Sequence, residues 1–506
     1  MVKAESGDPA TDNLKDPNPR ILFAVSEVYP LIKTGGLADV ACYLPIALHE
    51  QGFDIRIVVP AYRHVLRQVD RIKAGREIDI AEINIRFHLL QTLLPDSDIP
   101  VYLVDVPELF DRPGGPYDDP AGQDWPDNAE RFSLFCRVLR LISLGRAGLD
   151  WTPDLLHCHD WHTGLAPALL ARDPDRPATL FTIHNLAYQG NFPYTNFLSL
   201  KLPAGFWSAD ALEFYGDLSF IKGGLVYADQ LTTVSPGYAR EIVTPVSGCG
   251  LEGVLQRRAD NLTGILNGVD YRIWDPRHDP VIERHYWLDN LAGKKMNKCT
   301  LQQELGLVEN DKAILLAHIS RLTGQKGIDV IIDGLADLML DEDVQLVVLG
   351  TGEEKYEQAL RAAAVSHEGR MAVNLSYNEA LAHRIQAGAD IMLMPSRFEP
   401  CGLTQLYSLR YGTIPVVRMT GGLADTVVDT TDASLKDHTA TGFGFSGIAT
   451  SDYLGSVHRA LMLYRSGGDR WRRIMSTAMQ QEFSWANSAR NYARAYAEVL
   501  TRLLPA

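Results

Sequence analysis

The chain has 506 residues, 46% hydrophobic and 22% charged, which excludes a disordered or fibrous protein and leaves room for two cores of roughly 200 to 250 residues. A net charge of −15 argues against a nucleic-acid or anionic-membrane partner, so any anionic ligand must be held by a few local cations. The six cysteines lack Cys-x-x-Cys spacing, no apolar run approaches the ~18 residues of a membrane span, and the amino-terminal stretch reads as polar and proline-bearing rather than as a signal peptide, so a reducing cytoplasm is expected.

Residues 1–18 are polar and read as a disordered tail. After them, β-branched runs alternate with amphipathic ones, the grammar of a doubly wound α/β fold with parallel strands. The first half is expected to hold strands at 21–25, 55–59, 101–106, 155–158, 179–183 and 231–234. Between the first two lies Thr-Gly-Gly-Leu-Ala-Asp at 34–39, opening a helix whose Leu37, Val40, Leu44 and Ala47 share a face and which Pro45 should bend. Helix starts expose unpaired N–H groups that attract anions. Gly35 and Gly36, with Lys33 before them, therefore read either as a phosphate turn or as a tight turn beside a surface lysine.

The fourth strand runs into His157-Cys158-His159-Asp160-Trp161-His162. Alternation puts His157 and His159 on one face, and two readings stay open. One is a metal site without a clear fourth ligand; the other is a strand end whose Asp160 and Trp161 contact a sugar while some histidines are buried. His184 and Asn185 close the next strand, where they meet the same crevice or serve the fold.

The second half restarts the pattern at 313–319, 345–349, 371–375, 391–394 and 414–417. Turn chemistry at Asn267-Gly268-Val269-Asp270 and at 274–280 places the crossing near 264, giving domains at 19–263 and 264–484. Arg321 and Lys326 follow the first of these strands and either face a departing pyrophosphate or form a plain surface pair. Beyond 391–394, Glu399 is a candidate for sugar hydroxyls and the amides of Gly402, Leu403 and Thr404 for phosphate, with helix capping by Glu399 as the alternative. The hexapeptide recurs at 420–425 without an adjacent lysine; unlike flanks argue against duplication, and this copy reads as a turn that shapes the site. Residues 485–504 form an amphipathic pattern compatible with return to either domain.

Taken in order over about residues 20–500, these segments, with Thr182-Ile183-His184-Asn185 and Ser396-Arg397-Phe398-Glu399-Pro400-Cys401-Gly402, resemble bacterial glycogen synthases and plant starch synthases. The resemblance implies two Rossmann-like domains facing a deep interdomain cleft, the GT-B architecture. It also implies a retaining hexosyltransferase that moves glucose from ADP-glucose to the non-reducing 4-OH of an α-1,4-glucan, without metal or other cofactor.

Carried over by motif, the resemblance sets Lys33, Gly35 and Gly36 at the diphosphate and sugar, with Asp39 and Asn267 also on the donor side. Arg321 and Lys326 fall at the diphosphate, and Glu399, Cys401, Gly402, Leu403 and Thr404 at the glucose and phosphate. His184 and Asn185 hold the glucose, Asp160 lies beside the reacting carbon, Tyr377 is near adenine, and Tyr117 contacts the acceptor, joined there by Trp161. The closing segment from Trp485 is implied to cross back onto the amino-terminal domain. Ser376, where glycine is usual, and Cys158, where alanine is common, depart from the pattern.

A dinucleotide-dependent oxidoreductase shares the fold grammar, but no Gly-x-Gly-x-x-Gly with a downstream acid follows the first strand. A nucleotide-sugar sensor has less need of leaving-group cations. The choice of ADP- or UDP-glucose, the acceptor length and the oligomeric state stay open.

Overall fold

The computed structural model describes residues 18–69, 72–80 and 83–502, so the tail expected at 1–18 lies outside the described residues except for its last position. The chain divides into two compact units, one running to Gly268 and resuming at Trp485, the other Val269–Ser484. No helix among the described residues is long and apolar enough to cross a membrane.

The first unit contains β1 (Arg20–Ala24), β2 (Asp54–Pro60), β3 (Lys73–Ile80), β4 (Ile85–Leu93), β5 (Pro100–Asp105), β6 (Leu155–His159) and β7 (Ala178–Ile183). A small sheet of β8 (Asn191–Pro193), β9 (Glu213–Phe214) and β10 (Asp217–Ser219) follows, then β11 (Gln230–Thr233) and β12 (Leu262–Gly264). The main sheet runs β12-β11-β7-β6-β1-β2-β5-β4-β3, parallel except where β4 pairs antiparallel with β3 and β5. Ile21, Leu22, Phe23 and Ala24 of β1 have no exposed surface, as a strand covered on both faces requires. The charged β3 lies at the edge, where Lys and Glu side chains discourage pairing with another chain.

The helix Gly36–His49 buries the predicted Leu37, Val40, Leu44 and Ala47 and continues through Pro45. Three-residue β12 pairs with β11, and Ile265 N–H donates to Thr233 O at 2.7 Å. Those bonds carry the first unit to Gly268, five residues past the expected end at 263, because so short a strand has too little pattern to be read.

The helix Trp485–Arg502 packs on this first unit. Ser488 Oγ donates to Leu266 O at 2.6 Å, Tyr496 Oη lies 2.8 Å from His157 Nδ1 on β6, and the Tyr496 ring meets Phe53 edge-on at 5.7 Å. Because Tyr496 has no exposed surface, Tyr496→Phe should cost about 1 kcal/mol through the lost hydrogen bond and Tyr496→Ala about 3–5 kcal/mol through the added cavity. Urea unfolding of both variants tests that ranking.

The second unit holds β13 (Ile314–Ile319), β14 (Val344–Leu349), β15 (Met371–Asn374), β16 (Ile391–Met394), β17 (Ile414–Arg418) and β18 (Phe443–Phe445) in a parallel sheet ordered β15-β14-β13-β16-β17-β18. Ile314, Leu316, Leu346, Ile391, Leu393 and Val416 project into one core with helix residues such as Ile331 and Val457. Each strand expected from the sequence coincides with an observed strand to within one residue at either end.

Candidate active site

Each main sheet reverses its winding at one place. In the first unit that is between β1 and β6; in the second it is between β13 and β16. Ligands of open α/β sheets bind beyond the carboxyl ends of strands at such switch points. The loops leaving these four strands carry most of the residues singled out in the sequence.

In the first unit, the loop after β1 is organised by Glu27, a buried carboxylate that sequence reasoning missed. It accepts the N–H of Thr34 at 2.5 Å, the Thr34 hydroxyl at 2.9 Å and the N–H of Gly35 at 3.2 Å. Burial raises the Glu27 pKa, and the donors from Thr34 and Gly35 oppose that rise. The Gly35 amide expected to meet phosphate is thus bonded to a carboxylate in this structure. The signal available was an acidic residue three positions beyond the apolar run 21–24.

Lys33 Nζ pairs with Asp39 Oδ1 at 2.8 Å, one turn into the helix, and lies 5.2 Å from the Tyr29 ring centre. Both ends of this pair are mostly buried, so the reading of Lys33 as a loose surface lysine does not apply. Tyr117 Oη bonds Ser26 Oγ at 2.7 Å and approaches Glu27 at 3.3 Å, while its ring stacks on His162 at 4.5 Å. Its hydroxyl is therefore held inside the unit.

Asp160 sits at φ 53°, ψ −177°, a backbone conformation that costs a non-glycine residue on the order of 1–3 kcal/mol. The turn aims its carboxylate at the end of β7, where it accepts the N–H of His184 at 2.7 Å and of Asn185 at 3.4 Å. Burial pushes the Asp160 pKa up to about 7 despite those two donors. His184 Nε2 lies 2.8 Å from His159 Nδ1, and burial brings the His184 pKa down to about 3, so it is neutral at pH 7. Asn185 turns its own Oδ1 to the N–H of Ala187 at 3.1 Å.

His157 and His159 do share a face, with ring centres 4.0 Å apart, and burial holds both far below the ordinary histidine range. His157 Nε2 is engaged by Thr182 Oγ1 at 2.6 Å. Among the described residues, no group of three or more His, Cys, Asp or Glu is placed to hold a metal ion. Trp161, expected at the acceptor, lies mostly inside the unit. It is 9% exposed and packed edge-on against Phe132, Phe192 and Phe220, so most of its indole supports the loop. Asn267 is buried, with an Oδ1 that has no hydrogen-bond partner among the described residues.

In the second unit, the turn after β13 brings Lys326 Nζ to Glu399 Oε2 at 2.6 Å, and Ser396 Oγ donates to the same oxygen at 3.1 Å. Gly327 makes this possible. Its φ is 70°, and a Cβ there would stand 2.1 Å from Pro395 O. Arg321 is held in place by Gly350-Thr351-Gly352, which the sequence reading passed over: Leu322 N–H donates to Thr351 O at 2.8 Å, and a Cβ on Gly350 or Gly352 would collide with Ser320 O or Leu322 O. Beneath the turn, His318 is buried between Leu393 O and Ser320 Oγ, both at 2.8 Å, and burial lowers its pKa to about 4.

Glu399 does not cap the following helix, Thr404–Tyr411, whose cap residue Leu403 makes no side-chain bond. Cys401 is buried; Gly402 takes φ 73°, and Gln405 Nε2 ties the carbonyls of both at 3.0 and 2.9 Å. The second hexapeptide braces this loop from behind. Gly422 N–H donates to Glu399 O at 3.0 Å, and a Cβ on Gly422 would lie 2.2 Å from Cys401 O. Gly422→Ala should therefore displace Glu399 and, if Glu399 meets a sugar as the sequence resemblance implies, raise KM for that substrate roughly tenfold or more, by the ~1.4 kcal/mol per decade of binding, while Tm falls only a few degrees. Steady-state kinetics beside a melting curve measure both effects.

Two family models match the chain: "Starch synthase catalytic domain" over residues 20–257 and "Glycosyl transferases group 1" over 302–441. Glycogen synthase 2 of Nitrosococcus oceani is 51% identical across 96% of this chain and 98% of its own length. The chain belongs to the glycogen synthase family. Glycogen synthase 1 of Methylococcus capsulatus is 50% identical across 95% of the chain and 97% of its own. Among solved structures, the catalytic domain of starch synthase IV from Arabidopsis thaliana, bound to ADP and acarbose, matches with a TM-score of 0.86 and 29% identity, over 96% of this chain and all of that one.

As a member of the glycogen synthase family the protein is a glycosyltransferase of the GT-B fold class. One residue expected near the nucleotide in this family, Tyr377, is 73% exposed and donates to Glu379 at 3.1 Å, while Ser376 Oγ turns to Asn374 at 2.5 Å.

Proposed function

We propose that this protein transfers glucose from ADP-glucose to the non-reducing 4-OH of an α-1,4-glucan, with retention of configuration and release of ADP, as a cytoplasmic enzyme of glycogen synthesis. The observation that carries the reading is the Lys326–Glu399 pair at the switch point of the second sheet, backed by Ser396 and next to the turn bearing Arg321. Two cations there suit a departing diphosphate, whose negative charge develops as the glycosidic bond breaks. In a site closed to water their stabilisation is on the order of several kcal/mol, which would meet the need for charge neutralisation without a metal. The Arabidopsis relative bound to ADP and acarbose supports a nucleoside diphosphate and a sugar-like ligand.

On this reading Lys33, Gly36, Asp39 and Asn267 serve the donor, His184 and Asn185 hold the glucose, and Asp160 sits beside the reacting carbon. Cys401, Gly402, Leu403 and Thr404 carry donor glucose and phosphate, Tyr377 the adenine, and Tyr117 the acceptor. Neither candidate carboxylate stands ready as a nucleophile: Glu399 is committed to Lys326 and Ser396, and Asp160 to two backbone amides. That favours attack on the same face, guided by the leaving phosphate. A glucosyl adduct trapped on Asp160 or Glu399 would overturn it.

The test is ADP release from ADP-glucose with and without glycogen, with UDP-glucose in parallel. Glucan-dependent release, faster with ADP-glucose, is expected; release indifferent to glucan sinks the reading.

A further inference from the structure

The second unit carries a cavity of about 400 Å³ lined by Glu283, Arg284, His285, Trp287 and Asn290, none of which belongs to the Lys326–Glu399 site. Trp287 is 45% exposed, the most exposed tryptophan among the described residues. The loop that presents it is firmly built. Tyr286, next to it, is wholly buried and donates its hydroxyl to Tyr411 O at 2.8 Å. Asn297 clamps Arg284 through both backbone groups, accepting its N–H at 3.0 Å and donating to its carbonyl at 2.7 Å. Trp287 and Asn290 exchange backbone bonds of 3.3 and 2.8 Å, closing a tight turn. His285 Nε2 is fixed at 2.9 Å from Asp279 O.

A flat ring carried on a firmly bonded loop and bordered by hydrogen-bonding side chains suits a ligand with an apolar face and polar edges, and a loop already in place lowers the cost of binding it. The volume lies within the range of small-ligand sites. One carboxylate and one guanidinium nearly cancel, with an imidazole and an amide beside them, so the lining selects for neither anion nor cation. A pyranose meets each of these conditions, with C–H groups across its faces and hydroxyls around its rim. We propose that this cavity is a second α-glucan site, in which Trp287 stacks on a sugar ring while Glu283, Arg284 and Asn290 bond its hydroxyls. The proposal rests on the glucan-transfer reading above. A second site tethers a branched polymer and raises the local concentration of its chain ends, whereas an acceptor too short to span two sites gains nothing.

The experiment compares full-length wild type, Trp287→Ala and Trp287→Phe by electrophoretic retardation in glycogen-containing gels, and by initial rates with glycogen and with maltotetraose. Trp287→Ala should weaken glycogen retention and raise KM for glycogen roughly five- to tenfold, as loss of about one stacked ring implies, with kcat and maltotetraose kinetics within about twofold of wild type. Trp287→Phe should keep most of the retention. Unchanged retention in Trp287→Ala, or equal losses with both acceptors, overturns the second site while leaving the transfer reading intact. A wild type that shows no glucan-dependent ADP release with either acceptor overturns the transfer reading and this proposal together.

Discussion

Lys326→Ala is expected to lower kcat by roughly 10²- to 10³-fold, the usual loss for one pre-organised group aimed at developing charge, while glucan binding stays within about threefold of wild type. Lys326 is four-fifths buried and meets Glu399 at 2.6 Å, so its ammonium is fixed before substrate arrives. The substitution also leaves the Glu399 carboxylate with Ser396 as its remaining side-chain donor, and an uncompensated buried charge costs up to about 3–5 kcal/mol. The double variant Lys326→Ala/Glu399→Gln separates the two effects. It should recover much of the lost stability, because the buried charge is gone, and recover no turnover. Equal loss of turnover and glucan affinity in Lys326→Ala would contradict the assigned role.

Asp160→Asn should produce an enzyme that is slower yet more stable at neutral pH. The folded-state pKa is about 7, against about 3.9 for an unfolded aspartate. Between those values the native state holds a proton that the unfolded state has released, so this residue's contribution to stability falls as pH rises from about 4 to 7 and is level above that. Full transfer of the difference would be about 4 kcal/mol, and on the order of 2–4 kcal/mol is expected. Asparagine keeps an oxygen for the N–H groups of His184 and Asn185 but carries no charge to bury. The stability advantage of Asp160→Asn over wild type should therefore be small at pH 4, grow toward pH 7 and then plateau. On the proposed placement of Asp160 beside the reacting carbon, turnover should drop about 10²-fold or more through loss of that charge. A variant less stable than wild type at pH 8 would contradict this account of the buried carboxylate.

The central strands were legible because parallel strands buried on both faces spell near-continuous apolar runs, as in 21–24 of β1 and 346–349 of β14. The edge hairpin β3–β4 and the short β12 were not, since charge on an edge and three-residue length both erase that pattern. At the site, sequence picked out Lys326, Glu399, Asp160 and His184 by their place after strands. It gave no hint that Lys326 and Glu399, 73 positions apart, share a proton-bearing contact, nor that Glu27 occupies the first hexapeptide's amides. Such pairings depend on which strands become neighbours, and the order β13-β16 is a property of the whole sheet. The burial of Trp161 was hidden for the same reason: Phe132, Phe192 and Phe220 close around it only once the chain has folded. The repeated hexapeptide serves two different ends. The first copy takes a carboxylate side chain onto its amides; the second donates to a backbone carbonyl and holds the Glu399 loop.

The most direct measurement is the product itself. Wild-type protein incubated with ADP-glucose and a short maltooligosaccharide, followed by NMR of the new anomeric proton and by counting ADP, should give one α-1,4-linked glucose at the non-reducing end for each ADP released. A β-linked product, or ADP released with free glucose and no chain growth, would contradict the account.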